Sequence, residues 1–394
     1  MSVAAVSTGG WRRRALLALA AVIVGAVAVH LLRHDSDRLD LRVRWVQSYP
    51  DETWDRAKTG LYWSLSFLGA RLEAPEGDII ATRPGQGEGA FDLRLARAGF
   101  SAAAERALAT LLDAMKSTDE YHRNGAIDLG RFVAVTLGNS WNYYAVTGAR
   151  DTFAEFLATH PLERSSVFPV INSYVSAHPR LLRFVVGPEL AQMHFVAEEL
   201  SGAFGAESTR TLTREVFDIM PNGQLRFAVY GETGDLLPAT PTTESSAGKP
   251  AKCLWCHEIN PYALLRETPD VPAYMTGAQF SSEISRARYA LLRQRSLLSS
   301  RVDFRRTQDH TETELLYIAF MEPSADRLAR EWRVDLAEVR KRMAGQPTHI
   351  YAEFPFLGQL YDRKTADRLS DYRAIPAPNS VREPVAGDPG RPPR

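Results

Sequence analysis

An uninterrupted apolar segment near the N-terminus most constrains how this chain can fold. Residues 15–32 contain one polar side chain, His30, and as an α-helix they would be about 27 Å long, enough to cross the hydrocarbon core of a membrane. Residues 26–28 (Ala-Val-Ala) would suit a signal-cleavage site, but apolar residues continue through Leu32. We therefore predict a single-pass membrane anchor, with a cleaved export signal as the alternative. A buried soluble helix would need apolar contacts on all its faces.

The charges around this segment do not fix its orientation. Three arginines precede it and four follow it within about 15 residues, so the positive-inside rule gives no decision. Basic and acidic residues each number 47, and the only charged residues among positions 1–34 are four arginines. The rest of the chain therefore has four more acidic than basic residues. Such a domain binds nucleic acid poorly, so we expect no nucleic-acid partner.

Apolar patterning beyond the segment predicts an α+β fold that is predominantly α-helical. Helical periodicity occurs at 51–71, 102–115 and 189–200. Alternating segments at 214–219 and 224–230, separated by a Pro-Asn-Gly turn, predict a small antiparallel β-meander. The predicted fold class is thus mainly helical, with this meander before the cysteines and one N-terminal transmembrane helix.

Both cysteines of the chain lie in one motif, Cys253-Leu254-Trp255-Cys256-His257. A thioredoxin-like dithiol would require a βαβ context, whereas a polar loop rich in Pro, Ser and Thr precedes the motif. A structural zinc site needs four ligands, and the chain has no further cysteine. A disulfide within the motif would close a small, strained loop. These three interpretations are therefore the weaker ones.

This C-x-x-C-H motif resembles the haem-attachment site of c-type cytochromes. The resemblance implies that Cys253 and Cys256 bind one haem c covalently through its vinyl groups, and that His257 is the proximal iron ligand. It also implies attachment on the outer face of the bacterial inner membrane, which places the main domain in the periplasm. The resemblance covers these five residues only. Their position, at 253–257 of 394, differs from small cytochromes with the motif near the N-terminus.

Spacing alone does not assign a distal iron ligand. His310 lies at the start of a predicted helix, where the helix N-terminus keeps an imidazole neutral, as a ligand must be. Met275 lies in a turn-rich loop after the motif, although methionine more often fills a gap in a core. These are the two leading candidates, and His178, His194, His349, Met321 and Met343 remain possible. An open sixth position is the alternative, and it would favour an enzyme or a sensor.

A basic stretch follows the motif, in and after a predicted helix over 282–298. Its seven arginines would dock an acidic redox partner or pair with haem propionates, and a solvated face is the simpler interpretation. They are Arg286, Arg288, Arg293, Arg295, Arg301, Arg305 and Arg306. Residues 325–343 superficially resemble a helix-turn-helix DNA reader, but export and the net charge oppose that role.

The sequence thus predicts a membrane-anchored, extracytoplasmic mono-haem c protein that transfers single electrons in a membrane-associated redox chain. The expected partners are the membrane, through the N-terminal helix, and a redox protein. Two alternatives remain: a peroxidase- or oxygenase-like haem enzyme with an open distal site, and a haem-based sensor or structural haem module. The predicted organisation is an anchor or signal at 1–34, a helical domain at 35–205, the meander plus a haem-binding helical domain at 206–381, and a disordered tail at 382–394.

Overall fold

In the computed structural model, which describes residues 38–171, 173–176, 178–263, 265–266, 269–381 and 388, two β-sheets are combined with short and medium helices. The strands are β1 Asp40–Val46, β2 Glu88–Arg94, β3 Ile127–Asp128, β4 Ser166–Val170, β5 Arg180–Val185, β6 His194–Leu200, β7 Thr211–Ile219, β8 Leu225–Tyr230 and β9 Leu236–Leu237. The helices are α1 Trp54–Phe67, α2 Glu76–Ile79, α3 Ala102–Lys116, α4 Asp119–Asn124, α5 Leu129–Val133, α6 Ser140–Thr147, α7 Phe153–Thr159, α8 Pro250–His257, α9 Gly277–Arg295, α10 Thr311–Met321, α11 Ala325–Trp332, α12 Leu336–Arg342 and α13 Arg363–Leu369.

The larger sheet is an antiparallel meander in which each strand pairs with the next, in the order β4-β5-β6-β7-β8-β9. Its register places Phe184, Phe195, Phe217 and Phe227 directly opposite one another on four successive strands. Because side chains alternate between the faces of a strand, these four rings lie on one face of the sheet. That face meets α8, which carries the cysteine motif.

The smaller sheet has the order β2-β1-β3, with β2 antiparallel and β3 parallel to β1. Helices surround it. The predicted helices at 51–71 and 102–115 are confirmed by α1 and α3. Ser101 caps α3, because its side chain accepts a hydrogen bond from the Ala104 backbone N–H at 3.2 Å. The strands predicted at 214–219 and 224–230 are confirmed by β7 and β8.

The predicted fold class is wrong in the share it gives to β-structure. The meander is not a small element before the cysteines, because it continues upstream through β6, β5 and β4. The helix predicted at 189–200 is a short 3-10 turn, Leu190–Gln192, followed by β6. Ala, Glu and Leu favour a helix locally, but here pairing with both neighbouring strands decides the conformation.

The N-terminal transmembrane helix in that fold class is also not part of the structure. Residues 15–32 lie outside the described part of the chain. Within that part, no helix combines the length and the apolar character needed to cross a membrane. The predicted tail at 382–394 lies outside as well, except for Asp388, which is buried and forms an ion pair with Lys249 at 3.1 Å.

One contiguous hydrophobic core joins the helices and both sheets, and it includes Val43, Leu61, Phe217 and Phe320. A second, smaller cluster is formed by Leu328, Trp332, Val339, Met343 and Ala366, from α11 to α13. The main core thus contains side chains from both predicted domains, 35–205 and 206–381. It also supports the sheet face on which the candidate site lies.

Candidate functional site

Helix α8 presents the cysteine motif at its C-terminal end. The helix begins with Pro250, whose fixed φ and missing N–H suit the first helical position. It ends at His257, after which Glu258 and Ile259 both have left-handed backbone conformations, with φ of 44° and 65°. For a residue other than glycine, a left-handed backbone conformation costs about 1–2 kcal/mol of conformational energy. The strain is clearest for a β-branched residue such as Ile259. The chain therefore reverses sharply, in a strained turn, directly after His257.

Arg295, in the last turn of α9, holds this turn in place. Its Nη2 donates a hydrogen bond to the carbonyl oxygen of Ile259 at 2.6 Å, and its Nε donates to that of Gly223 at 2.8 Å. Arg295 is only 4% exposed, and burial lowers its pKa to about 9. It therefore ties the turn after His257 to the turn between β7 and β8. The sequence predicts Arg295 on a solvated or docking surface, and its pattern of arginines gives no sign of this role.

Both thiols and the imidazole line one pocket between α8 and the larger sheet. Its cavity volume, taken as the space open to the centre of a water molecule, is about 140 Å³. Phe280 and Ile284 of α9 line the pocket as well, and so do Pro261, Tyr262, Ala263 and Leu265 from the segment that follows α8. The structure thus brings Cys253, Cys256 and His257 to a concave, largely apolar site of the kind that binds small organic ligands.

The four phenylalanines of the sheet form a continuous aromatic wall in this pocket. Their ring centroids are separated by 5.6 Å between Phe184 and Phe195, 4.4 Å between Phe195 and Phe217, and 5.3 Å between Phe217 and Phe227. The His257 ring, on α8, faces this row, with its centroid 5.3 Å from that of Phe227 and 5.5 Å from that of Phe217. Such a wall excludes water and suits a flat aromatic ligand.

His257 has the protonation state that metal ligation requires. Burial lowers its pKa to about 4, so that the imidazole is neutral near pH 7. Its Nδ1 atom is buried and has no hydrogen-bond partner among the described residues. A neutral imidazole with an unsatisfied ring nitrogen, inside an apolar pocket, fits the proximal ligand of a haem iron.

The two thiols differ from those of a redox dithiol. Cys253 and Cys256 are free cysteines, and burial raises the pKa of both. Reactive dithiols instead have a lowered thiol pKa, because an electropositive environment stabilises the thiolate. Both thiols are therefore protonated at neutral pH, unlike those of a reactive dithiol. Within the described ranges, no group of three or more His, Cys, Asp or Glu side chains is arranged to hold a metal ion directly.

A charged cluster interrupts the apolar lining. Arg180 of β5 and Glu215 of β7 both line the pocket, and the Arg180 Nη2 and Glu215 Oε2 atoms are 2.5 Å apart. On its other side, Arg180 Nε donates to Glu199 Oε2 of β6 at 2.7 Å. These residues are far apart in the sequence and become neighbours only through strand pairing, so no motif predicts the cluster.

The structure does not bring either distal-ligand candidate to the pocket wall. His310 is buried beside Trp63 of α1, with ring centroids 6.3 Å apart, and its Nδ1 is hydrogen-bonded to the carbonyl oxygen of Thr307. Met275 lies at the sheet edge, where its backbone N–H donates to the Val167 carbonyl oxygen at 3.1 Å. Among the described residues that line the pocket, His257 is the only histidine and none is a methionine.

The residues present thus fit one covalently attached haem c: two thiols and a neutral imidazole on one wall, facing an aromatic wall. No family model, no curated protein and no solved structure matches this chain. Any functional assignment therefore depends on the chemistry of the residues themselves.

Proposed function

We propose that this protein is an exported mono-haem c protein whose iron keeps an open sixth position for a small ligand. The observation that carries the proposal is that Cys253, Cys256 and His257 share one aromatic pocket, whose described lining offers no methionine and no second histidine. Bound haem would supply an iron centre that exchanges electrons and binds small molecules. An open sixth position favours a haem enzyme or a haem-based sensor over an electron carrier.

Each part of the pocket has a defined role in the proposal. Cys253 and Cys256 would hold the haem through thioether bonds, and neutral His257 would supply a nitrogen ligand to its iron. The row of four phenylalanines would keep water away from the haem on the side of the sheet. Arg295 holds the turn that follows His257 and so helps to orient the imidazole. A largely apolar pocket with few polar groups admits small uncharged ligands more readily than ions.

We also propose that the main domain lies outside the cytoplasm, in association with the bacterial inner membrane. The support is the apolar stretch at 15–32 together with the attachment motif, since haem c is attached on the outer face of that membrane. The two cysteines of the motif are the only ones in the chain, so no additional thiol is available for oxidation after export.

The test is expression with a cytochrome c maturation system, followed by haem staining of a denaturing gel. We expect the wild type to stain, and the double variant Cys253→Ala/Cys256→Ala to lose the stain. Reduced wild-type protein should also bind carbon monoxide, as judged from its optical spectrum, with Met275→Ala and His310→Ala behaving in the same way.

Two results would contradict the proposal. If the wild-type protein carried no covalent haem after this expression, the proposed function would be wrong. If the reduced wild type ignored carbon monoxide while Met275→Ala or His310→Ala bound it, that residue would be the distal ligand. The iron would then be six-coordinate, which is typical of an electron carrier.

One-electron transfer is the second candidate function, and helix α9 favours it. Phe280 and Ile284 line the pocket from this helix, whereas Arg286 and Arg293 are exposed on it. A basic surface one helix away from the pocket would let an acidic redox protein dock close to the haem.

A further inference from the structure

Arg180 and Glu215, which line the pocket, form a cluster with the buried Glu199 in which carboxylates outnumber cations. Arg180 and Glu199 are directly opposite each other on β5 and β6, and Glu215 follows on β7. Arg180 contacts both carboxylates, through Nε to Glu199 and Nη2 to Glu215. With both carboxylates ionised, this group of three has a net negative charge in a place where water is largely absent, because Glu199 is 1% exposed and Arg180 is 7% exposed.

Two further side chains connect the cluster to the polar loop before α8. Ser176 Oγ donates a hydrogen bond to the Glu199 carboxylate, and it also lies 3.4 Å from the backbone oxygen of Glu244. The Glu244 Oε2 atom is buried and lacks a hydrogen-bond partner among the described residues. Thr240 Oγ1 donates to Glu215 Oε1 at 3.0 Å. A third carboxylate therefore adds to the negative charge around Arg180.

We propose that Glu199, held by Arg180 and Glu215, is a proton-exchange site coupled to the redox state of the pocket. The inference rests on the proposed haem attachment. When the haem gains one electron from a donor protein, the added negative charge favours protonation of Glu199, which takes up one proton from solvent. On reoxidation the electron would pass to an acceptor and Glu199 would release its proton to solvent, with no change in any covalent bond.

Electrostatics places this exchange near neutral pH. Burial raises the pKa of Glu199 to about 7, against the opposing effect of Arg180, and the charges of Glu215 and Glu244 raise it further. Both protonation states are therefore populated near pH 7. An added electron nearby raises this pKa again, so the reduced protein holds the proton up to a higher pH than the oxidised protein does.

The test is a redox titration of the haem-loaded protein between pH 5 and pH 9. We expect the wild-type midpoint potential to fall with rising pH near neutrality, and Glu199→Gln to lose this dependence. Glu198→Gln is the matched control, because Glu198 is the adjacent residue on β6, on the opposite face of the sheet, and its Oε2 accepts a hydrogen bond from Arg183 Nε at 2.8 Å. It should behave like the wild type.

A second variant separates proton exchange from a change in folding. Glu215→Gln removes one negative charge beside Glu199, so it should keep the pH dependence but move it to lower pH. The carboxyl band in reduced-minus-oxidised infrared spectra should be present in the wild type and in Glu198→Gln, and absent in Glu199→Gln. A stained, folded Glu199→Gln protein with the wild-type pH dependence would overturn this inference and leave haem attachment intact. A wild-type protein without haem would overturn the proposed function first.

Discussion

At the scale of single residues, Gly60 sets the distance at which α1 and α10 pack. A Cβ atom there would lie 2.6 Å from the carbonyl oxygen of Glu312 and 2.7 Å from Leu316 Cδ1. We expect Gly60→Ala to lower the free energy of unfolding by about 1–3 kcal/mol, since backbone atoms would have to move. Gly77→Ala is the control, because a Cβ in α2 meets nothing within 4 Å. Urea unfolding measures both. Equal stability of the two variants would show that this contact is not close in solution.

The roles of residues inside the cysteine motif could be predicted from the sequence. The roles of residues that depend on tertiary contacts could not. The spacing of Cys253, Cys256 and His257 indicated a shared site, and the structure places all three on one pocket wall. Arg295 is one of the seven arginines in the basic stretch after the motif, and the stretch itself does not distinguish it from the other six. A signal was present, however, because Arg295 follows Phe280, Ile284, Ala287 and Leu291 on the inward face of one helix, at intervals of three or four residues.

At the scale of elements, α9 is the helix that supports the turn after His257. Arg295→Met removes the donors to the Ile259 and Gly223 carbonyl oxygens, and we expect a loss of about 2–3 kcal/mol in the free energy of unfolding. Arg293→Met, two residues earlier on the same helix and exposed, should change it by less than about 0.5 kcal/mol. Chemical denaturation of both variants provides the measurement. A similar loss in the control would indicate a general effect of charge on α9.

The elements that were predicted wrongly are strands with weak local signals. In β6, Phe195, Ala197 and Glu199 alternate onto one face of the sheet, and Glu199 is buried there in contact with Arg180. Period-two alternation is hidden when a charged residue lies on the inner face. The hairpin of β7 and β8 was predictable because Leu225, Phe227 and Val229 alternate along β8 and the turn contains Asn222-Gly223. The remaining strands, β4 to β6, form because each pairs with its neighbouring strands, and not because their residues favour a strand locally.

At the scale of the whole molecule, the fold places a buried pocket and a basic surface on opposite sides of one helix. The inner face of α9 closes the pocket, and the outer face exposes Tyr289 by 74% and Leu292 by 49%, among arginines. Exposed apolar side chains surrounded by positive charge are typical of a surface that binds an acidic protein. The chain as a whole has no excess of positive charge, so this attraction is local.

This arrangement predicts that electron exchange with an acidic redox protein depends on α9. Reversal of charge in Arg286→Glu/Arg293→Glu should slow reduction of the haem by such a protein on the order of tenfold at low salt, because steering depends on opposite charge at the contact surface. The difference should shrink with rising salt, as screening shortens the range of the charges. Arg340→Glu/Lys341→Glu, exposed near the end of α12, makes the same change in net charge elsewhere. Stopped-flow reduction rates compare the two. An equal slowing in both would assign the effect to total charge and remove α9 as the docking surface.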